Sequence, residues 1–330
     1  MVLSPKETGR LILENCKFVT IKQEGIEKLG NVLVEEFTSG SLQPANFSQV
    51  EFHPKPDDLH VLDWLFVVDT LNFCFWNYDD AEGWKVEGYT GYFALCATIN
   101  RALKEKVDIL NPKFYSTISE EQLKKIFRSD TKVEIPLLAE RLKCLHEVGA
   151  VLQENFESSF DNVVKKAQNS AKSLLNLIIS NFKCFQDEAL FESKQVSFYK
   201  RAQILVGDVW ACFKGEGTGY FKDIDEITMF ADYRIPQTLL WYGVFEYNNE
   251  LLKKLESNAV LKNGDREELE IRACSIHAVE LLKDYANKRL ETKKINSILI
   301  DHFLWDFRRK HVTEIDEKGL PFHKVLCIYY

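Results

Sequence analysis

The sequence predicts a mainly α protein, with a single helical domain over residues 1–330 and at most a few short strands. Consecutive segments repeat apolar residues at i, i+3, i+4 and i+7, the spacing of an amphipathic helix that packs on one face. Two stretches, Ser4-Pro-Lys-Glu7 and Ser119-Glu-Glu-Gln122, have the capping-box pattern of a helix start. No internal repeat or linker interrupts the chain, which favours one continuous body. The amphipathic segments are 136–155, 159–183 and 198–213.

The N-terminal helices are expected within residues 1–45, packed on the rest of the domain. The first begins at the Ser4 box, with Pro5 at the first helical position, where its missing N–H costs nothing. The second spans residues 26–37 and ends in a Ser-Gly-Ser turn.

The remaining elements are predicted from the same local signals. Residues 215–219 are rich in glycine, but they follow a helix and lack the Lys-Ser/Thr of a P-loop, which favours a helix stop and turn. Asp265 opens a long helix with an Asp-x-x-Glu box. The other predicted elements are a loop (46–57), an apolar segment (59–75), a turn-rich connection (76–83), a short strand (84–88), helices at 89–104, 265–289 and 295–310, and an apolar tail (324–330).

Composition excludes several classes of protein. The net charge of −8 disfavours a protein that grips duplex nucleic acid, because such affinity depends on neutralising many phosphates. The eight cysteines are scattered, without Cys-x-x-Cys pairs or zinc-type spacing. The longest apolar runs are too short to cross a bilayer, and the N-terminus lacks the pattern of a signal peptide. We therefore expect a cytoplasmic protein with free thiols and no membrane partner; the sequence indicates no particular protein partner.

A carboxylate, Asp232, lies at the junction of two predicted elements, in the stretch Phe230-Ala-Asp-Tyr-Arg-Ile-Pro-Gln237. The stretch follows an apolar and acidic run, 224–229, and precedes a helical pattern, 238–245. Junctions on a packed scaffold are common places for catalytic groups. The alternative is a helix N-cap, because an aspartate shortly before a proline is ordinary at a helix start. The sequence leaves both roles open.

The last helix carries acids in an otherwise apolar stretch. Asp301, His302 and Asp306 interrupt its apolar pattern, and the spacing places His302 and Asp306 on one face. A carboxylate in apolar surroundings requires a cation, hydrogen-bond donors or a cavity. The alternative is an exposed helix edge, or pairing with the basic residues 308–310.

Three further features each have an ordinary structural explanation. His53 stands between Phe52 and Pro54 and is by default a loop histidine. Lys200 and Arg201 could bind a phosphate, although such a pair is more often the solvated face of a helix. The stretch 71–76 is by default core, with a base-stacking surface as the alternative.

Five blocks together resemble the queuosine-salvage family, whose members act as queuosine 5′-phosphate N-glycohydrolases. They occur in the family's order and extend from about His53 to Arg309. The blocks are Val67-Val-Asp-Thr-Leu-Asn-Phe-Cys-Phe-Trp76, Gly91-Tyr-Phe-Ala-Leu95 with Asn100-Arg-Ala-Leu103, Phe198-Tyr-Lys-Arg-Ala-Gln-Ile-Leu205, Phe230-Ala-Asp-Tyr-Arg-Ile-Pro-Gln237 and Asp301-His-Phe-Leu-Trp-Asp306.

The resemblance implies a helical fold similar to that of helical DNA glycosylases, with no metal and no organic cofactor. It implies that Asp232 faces the glycosidic bond of a nucleotide substrate. Other residues would hold the deazaguanine base: His53, Phe230, Asp301, His302 and Asp306. Much of the family has tyrosine at position 302, so the histidine there puts the detail or the pH dependence of one hydrogen bond in doubt.

These assignments lead to a mechanism for hydrolysis of queuosine 5′-monophosphate, releasing queuine for tRNA modification. Asp232 would stabilise positive charge on the sugar and orient or deprotonate the attacking water. Lys200 and Arg201 are the candidates for binding the 5′-phosphate, with Arg234 in reserve. Two alternatives stay open: a glycosylase acting on a polynucleotide, and a non-catalytic helical binding protein.

Overall fold

A computed structural model describes residues 2–77, 83–291 and 293–330 of the chain. Its regular structure consists mainly of α-helices with short two-stranded sheets, which confirms the mainly α prediction. Most of the connection predicted at 76–83 falls on residues 78–82, which lie outside the described residues. The helices are α1 (Pro5–Glu14), α2 (Gln23–Thr38), α3 (Val61–Leu71), α4 (Gly91–Lys104), α5 (Pro112–Tyr115), α6 (Glu120–Ile126), α7 (Leu138–Asn155), α8 (Phe160–Lys166), α9 (Ala171–Asn181), α10 (Lys200–Cys212), α11 (Ile235–Trp241), α12 (Asn249–Glu256), α13 (Arg266–Asn287), α14 (Ser297–Lys310) and α15 (Val312–Glu317).

The strands form four separate pairs among the described residues, three of them antiparallel. β7 and β8 are parallel. The pairs are β1 (Val19–Ile21) with β6 (Phe245–Tyr247), β2 (Lys85–Val86) with β3 (Tyr89–Thr90), β4 (Glu188–Phe191) with β5 (Lys194–Ser197), and β7 (Val260–Leu261) with β8 (Lys324–Val325).

The chain folds into two compact units, each assembled from segments that are distant in sequence. Unit 1 comprises Met1–Gln43, Asp187–Gln203 and Asp225–Leu326, and unit 2 comprises Pro44–Gln186, Ile204–Ile224 and Cys327–Tyr330. The assignment of residues 1–330 to a single domain stays a prediction. No helix among the described residues combines the length and the apolar character that a membrane span requires.

Unit 1 is built around α13. Both N-terminal helices, α1 and α2, pack on α13, as do α11 and α14. Apolar residues of α13 such as Leu269, Ile276 and Val279 are fully or almost fully buried, and so are Ile12 of α1 and Leu29 of α2. Removing such side chains from water supplies most of the favourable free energy of folding.

Unit 2 is built around α3, a helix with apolar residues on all sides, nearly all of them buried. Phe66 stacks on Phe160 with ring centroids 4.5 Å apart. The buried guanidinium of Arg141 donates to the carbonyl oxygens of Leu71, Phe73 and Cys74. These bonds satisfy carbonyls at and beyond the C-terminus of α3 that no helical N–H can reach.

Local sequence signals located several helix starts correctly. The capping boxes at Ser4 and Ser119 are both present. The prediction of a box at Asp265 is wrong: its side chain does not cap α13, and Oδ2 instead accepts the N–H of Lys262 at 2.8 Å. The prediction that residues 215–219 form a helix stop is confirmed, since α10 ends at Cys212 and a short 3₁₀ turn follows at Gly217–Gly219.

The single helix predicted over 159–183 is wrong, because two helices occupy it, α8 and α9. Gln168 and Asn169 both have positive φ, which no helix interior tolerates. Ser170 then caps α9, and its hydroxyl donates to Asp223 at 2.7 Å. Apolar spacing continues across the break, so periodicity alone did not reveal it.

Gly25 of α2 allows a close backbone approach within unit 1. A Cβ at this position would overlap the carbonyl of Gly243 and the backbone nitrogen of Val244. We expect Gly25→Ala to lower the free energy of unfolding by about 3 kcal/mol, because backbone atoms cannot move aside cheaply. Urea denaturation measures this, with Gly83→Ala as the control, since a Cβ at Gly83 meets no atom within 4 Å. Equal stability of the two variants would contradict the packing argument.

Candidate active site

The segment that carries Asp232 is a mostly buried stretch without regular secondary structure, leading from a 3₁₀ turn at Ile224–Glu226 into α11. It is fastened to the start of α10 through Gln203. The amide of Gln203 accepts the N–H of Thr228 at 2.9 Å and donates to its hydroxyl at 2.8 Å. The helix predicted at 238–245 begins earlier, at Ile235, and ends at Trp241.

Asp232 is held by one of its two carboxylate oxygens. Oδ1 accepts the backbone N–H groups of Arg234 and Ile235, both at 2.8 Å. Asp232 therefore does secure the entry into α11, as the capping alternative required. No described residue donates a hydrogen bond to Oδ2, and the side chain is partly exposed. One oxygen fixes the carboxylate while the other is available to a ligand.

Asp301 of α14 lies next to this segment although it is 71 residues away in sequence. Its Oδ2 accepts the backbone N–H of Phe230 at 2.9 Å. The side chain is buried, and burial, followed by the nearby charge of Asp232, raises the pKa of Asp301 well above its usual range. The Phe230 N–H and the charge of Lys200 oppose this shift. The charge of Asp232 thus acts on Asp301, and the carboxyl of Asp301 favours the protonated form.

His302 is the neighbour of Asp301 on α14, and its ring lies 6.4 Å from the ring of Phe230. Burial among protein atoms lowers the pKa of His302 to about 4, although part of the residue still touches solvent. The imidazole is neutral at physiological pH, and its charge changes only in acid.

Asp306 follows one helical turn after His302. The residue is exposed, in contrast to Asp301, yet partial burial of the carboxyl raises its pKa, opposed by Lys310 and Arg309. Shielding by neighbouring protein atoms and contact with water coexist here, as they do at His302. The Phe230–Asp301 hydrogen bond and the Phe230–His302 ring contact bring these residues together with Asp232 in unit 1. Asp306 lies on the next turn of α14.

The candidate cations differ in exposure. Lys200 and Arg201, at the start of α10, are buried, so the solvated-face alternative is wrong. The charge of Lys200 reaches Asp301, where it lowers the pKa. Arg234 is partly exposed, and its guanidinium lies 3.8 Å from the ring centroid of Phe322.

His53 belongs to unit 2, where both of its ring nitrogens are engaged. Nδ1 lies 2.9 Å from the carbonyl oxygen of Phe47, and Nε2 lies 3.0 Å from the hydroxyl of Tyr92. A carbonyl oxygen only accepts, so Nδ1 carries the proton and Nε2 accepts the tyrosine O–H. A role for His53 in binding the base stays a prediction.

Two glutamine amides that hold this site were not predicted from the sequence. Gln203 secures Thr228, and Gln237 accepts from Arg234 at 3.2 Å and from Arg308 at 3.3 Å. Gln203 lies in the same block as Lys200, and Gln237 ends the block around Asp232. A glutamine within an apolar helical stretch could have indicated such a role, because a buried side-chain amide needs hydrogen-bond partners.

No group of three or more His, Cys, Asp or Glu side chains within the described parts of the chain is arranged to hold a metal ion. The arrangement in unit 1 instead offers a fixed carboxylate beside a buried carboxyl and an aromatic ring. Such a site suits stabilisation of a cation and transfer of a proton.

The sequence is similar to that of a known protein family over most of its length. Residues 52–330 match the family model described as queuosine salvage protein. The chain is 45% identical over 337 residues to the queuosine 5′-phosphate N-glycosylase/hydrolase of Mus musculus, covering 99% of both chains. It is 43% identical to the Bos taurus protein of that name, over 100% of this chain and 99% of the relative. Identity to the Schizosaccharomyces pombe protein of that name is 38%, over 98% and 99%. The chain belongs to the queuosine-salvage protein family.

Proposed function

We propose that the chain hydrolyses the N-glycosidic bond of queuosine 5′-monophosphate, releasing queuine and ribose 5-phosphate. The observation that carries the proposal is the pairing of Asp232 and Asp301 in unit 1. One carboxylate has an oxygen without a protein donor among the described residues, and its neighbour is a buried carboxyl with a raised pKa. A fixed carboxylate beside a carboxyl that keeps its proton to higher pH is suited to divide the roles of anion and proton donor.

Asp232 is assigned to the sugar. Breaking the glycosidic bond develops positive charge at C1′, and a carboxylate beneath that carbon lowers the free energy of the transition state. Its Oδ1 is anchored by two backbone N–H groups, so Oδ2 keeps its direction during the reaction. The same oxygen accepts a proton of the attacking water, whose hydroxyl adds to C1′.

Asp301 is assigned to the base. A 7-deazaguanine lacks the ring nitrogen at position 7 that could take a proton, so the departing negative charge must be neutralised elsewhere on the heterocycle. A protonated Asp301 donates that proton while Oδ2 stays bonded to the N–H of Phe230. Asp232 then releases to solvent the proton that it took from water, and Asp301 takes up a proton from solvent. Both acids thereby return to their starting protonation states.

The remaining predicted residues are assigned to recognition. Phe230 and neutral His302 pack against the base. Asp306 accepts hydrogen bonds from the amino group of the base or from the ammonium on the cyclopentene side arm of the base. A role for His53 in binding the base is what the family resemblance implies. The partner in this proposal is a small nucleotide rather than duplex nucleic acid or a membrane. The eight cysteines are present as thiols, which suits a reducing cytoplasm.

The direct test is turnover by the purified protein. Queuosine 5′-monophosphate, queuosine, and a queuosine-containing oligonucleotide are incubated with enzyme, and queuine is quantified by liquid chromatography with mass spectrometry. We expect release from the nucleotide with no added metal. Release from the oligonucleotide alone would instead show a glycosylase acting on polynucleotides, and no release from any substrate would contradict the proposal.

A separate prediction concerns the 5′-phosphate. Lys200→Met is expected to raise KM for the nucleotide roughly 10- to 100-fold, because a hydrogen bond to a charged group contributes about 1.5–3 kcal/mol. KM for the nucleoside, which has no phosphate, should change little. Steady-state kinetics with both substrates measures the difference, and Arg201→Met and Arg234→Met are compared in the same way.

Lys22→Met serves as the control, since Lys22 is exposed and pairs with Glu246 at the surface. It should leave both KM values unchanged. An equal rise in KM for nucleotide and nucleoside in Lys200→Met would show that Lys200 acts through Asp301 rather than on the phosphate. A selective rise in Arg234→Met alone would move the phosphate site to Arg234.

A further inference from the structure

Arg272 of α13 bonds the peptide group that precedes Asp232. The residue is 1% exposed, and its Nε donates to the carbonyl oxygen of Ala231 at 3.0 Å. The N–H of the same peptide, on Asp232, donates to the carbonyl of Phe230 at 2.7 Å. Both polar ends of this peptide are therefore held, and its plane sets the direction in which the Asp232 side chain leaves the backbone.

The guanidinium also binds two buried carboxylates. Nη1 and Nη2 donate to the two oxygens of Asp187, at 3.1 and 2.5 Å, in a fork that fits the carboxylate plane. Nη1 also donates to Glu268, one helical turn earlier on α13, at 3.0 Å. Glu268 in turn accepts the N–H of Gly264 at 3.0 Å. The planar fork of arginine makes this set of bonds, which a single ammonium cannot reproduce.

Asp187 extends the network to the candidate cations. Its Oδ2 accepts the N–H of Lys200 at 3.1 Å, and its backbone carbonyl accepts the N–H of Phe198 at 2.9 Å. The Arg272 guanidinium lies 4.1 Å from the ring centroid of Phe198. One buried side chain thus connects the segment that carries Asp232 with the segment that begins α10.

A buried ion network is a poor way to obtain stability alone. Taking three charges out of water is costly, and apolar side chains of the same volume often stabilise a core equally well. An apolar side chain at position 272, however, leaves the Ala231 carbonyl and the Asp187 carboxylate without this donor. The network supplies directional bonds at two places that matter to the proposed reaction.

We propose that Arg272 is a positioning residue, which orients the Asp232 carboxylate by holding the Ala231–Asp232 peptide, while Asp187 fixes the guanidinium in place. The inference rests on the hydrolase function proposed above and adds a residue outside the substrate site. It predicts that Arg272 contributes to turnover only as long as Asp232 is present.

A double-mutant cycle tests this prediction. Arg272→Lys keeps the charge but cannot make all the bonds, and we expect it to lower kcat about 30-fold in the native background, with KM for the nucleotide changed less than threefold. In the Asp232→Asn background the same substitution should lower the residual rate less than threefold. Single-turnover assays over long incubations measure that residual rate, below the melting temperature of each variant.

The control is Arg266→Lys on the same helix, whose guanidinium binds Glu270, Glu192 and the carbonyl of Asn15, and which should leave kcat unchanged. If Arg272→Lys does not fold, Asp187→Asn carries the same cycle, because it weakens the fork without removing the arginine. Equal rate losses in both backgrounds, or no loss in either, would overturn the positioning role. A wild-type protein that releases no queuine would instead refute the proposed function.

Discussion

Replacing Asp232 by asparagine is expected to lower kcat for queuine release about 1,000-fold while leaving the fold intact. The amide oxygen of asparagine can still accept the N–H groups of Arg234 and Ile235, so the entry into α11 is preserved. The amide has no negative charge to stabilise the sugar cation and cannot accept a proton from water. Steady-state kinetics with queuosine 5′-monophosphate measures the loss in kcat, and a thermal melt shows whether the fold is intact.

The chain offers a matched control in Asp223, another aspartate that holds the start of a helix. Its carboxylate accepts the hydroxyl of Ser170 and the N–H of Ala171, both at 2.7 Å. Asp223→Asn should change stability slightly and kcat not at all. If the Asp232 and Asp223 variants behave alike, Asp232 only caps a helix, and the catalytic assignment is lost.

Asp301→Asn is expected to lower kcat about 100-fold and to remove the alkaline decline of the pH–rate profile. Burial and the charge of Asp232 raise the pKa of Asp301, so the carboxyl keeps its proton to higher pH than an ordinary aspartate. The proposed reaction needs that proton, and wild-type kcat should therefore fall as the pH rises through the raised pKa. Asparagine still accepts the Phe230 N–H but has no such titration.

Profiles of kcat between pH 4 and 10 separate this effect from a general loss of activity. The same raised pKa gives a folding advantage that is present at low pH and is lost as the pH rises through the folded-state pKa of Asp301. We therefore expect Asp301→Asn to flatten the pH dependence of the free energy of unfolding in that range. An alkaline decline that persists unchanged in the variant would assign it to another group.

Most of the helical framework could be predicted because its signals are local. The prediction 136–155 agrees with Leu138–Asn155, and the prediction 295–310 agrees with Ser297–Lys310, since apolar spacing reports which face of a helix is buried. The boxes at Ser4 and Ser119 involve residues only three apart. The helix prediction failed at Gln168 and Asn169, where the backbone turns although the apolar spacing continues.

The candidate site, too, could be predicted from the sequence only in part. Asp232 was selected as a candidate because it lies at the junction of two predicted elements. Asp301 and His302 were selected because an acid or histidine in an apolar stretch has to be accommodated. The direction of each pKa shift could not be predicted, since burial and neighbouring charges depend on the complete packing. Arg272 was missed because its partners, Asp187 and Ala231, are 85 and 41 residues away.

The sequence by itself determined the mainly α fold, several helix starts and the acids of the last helix. These follow from helical periodicity and from hydrogen bonds that span three or four residues. Only the tertiary structure decided that Asp301 bonds the backbone at Phe230, that Arg272 bonds the peptide before Asp232, and that His302 is held neutral. Those relations join residues far apart along the chain, and they exist only once packing has excluded water around the groups concerned.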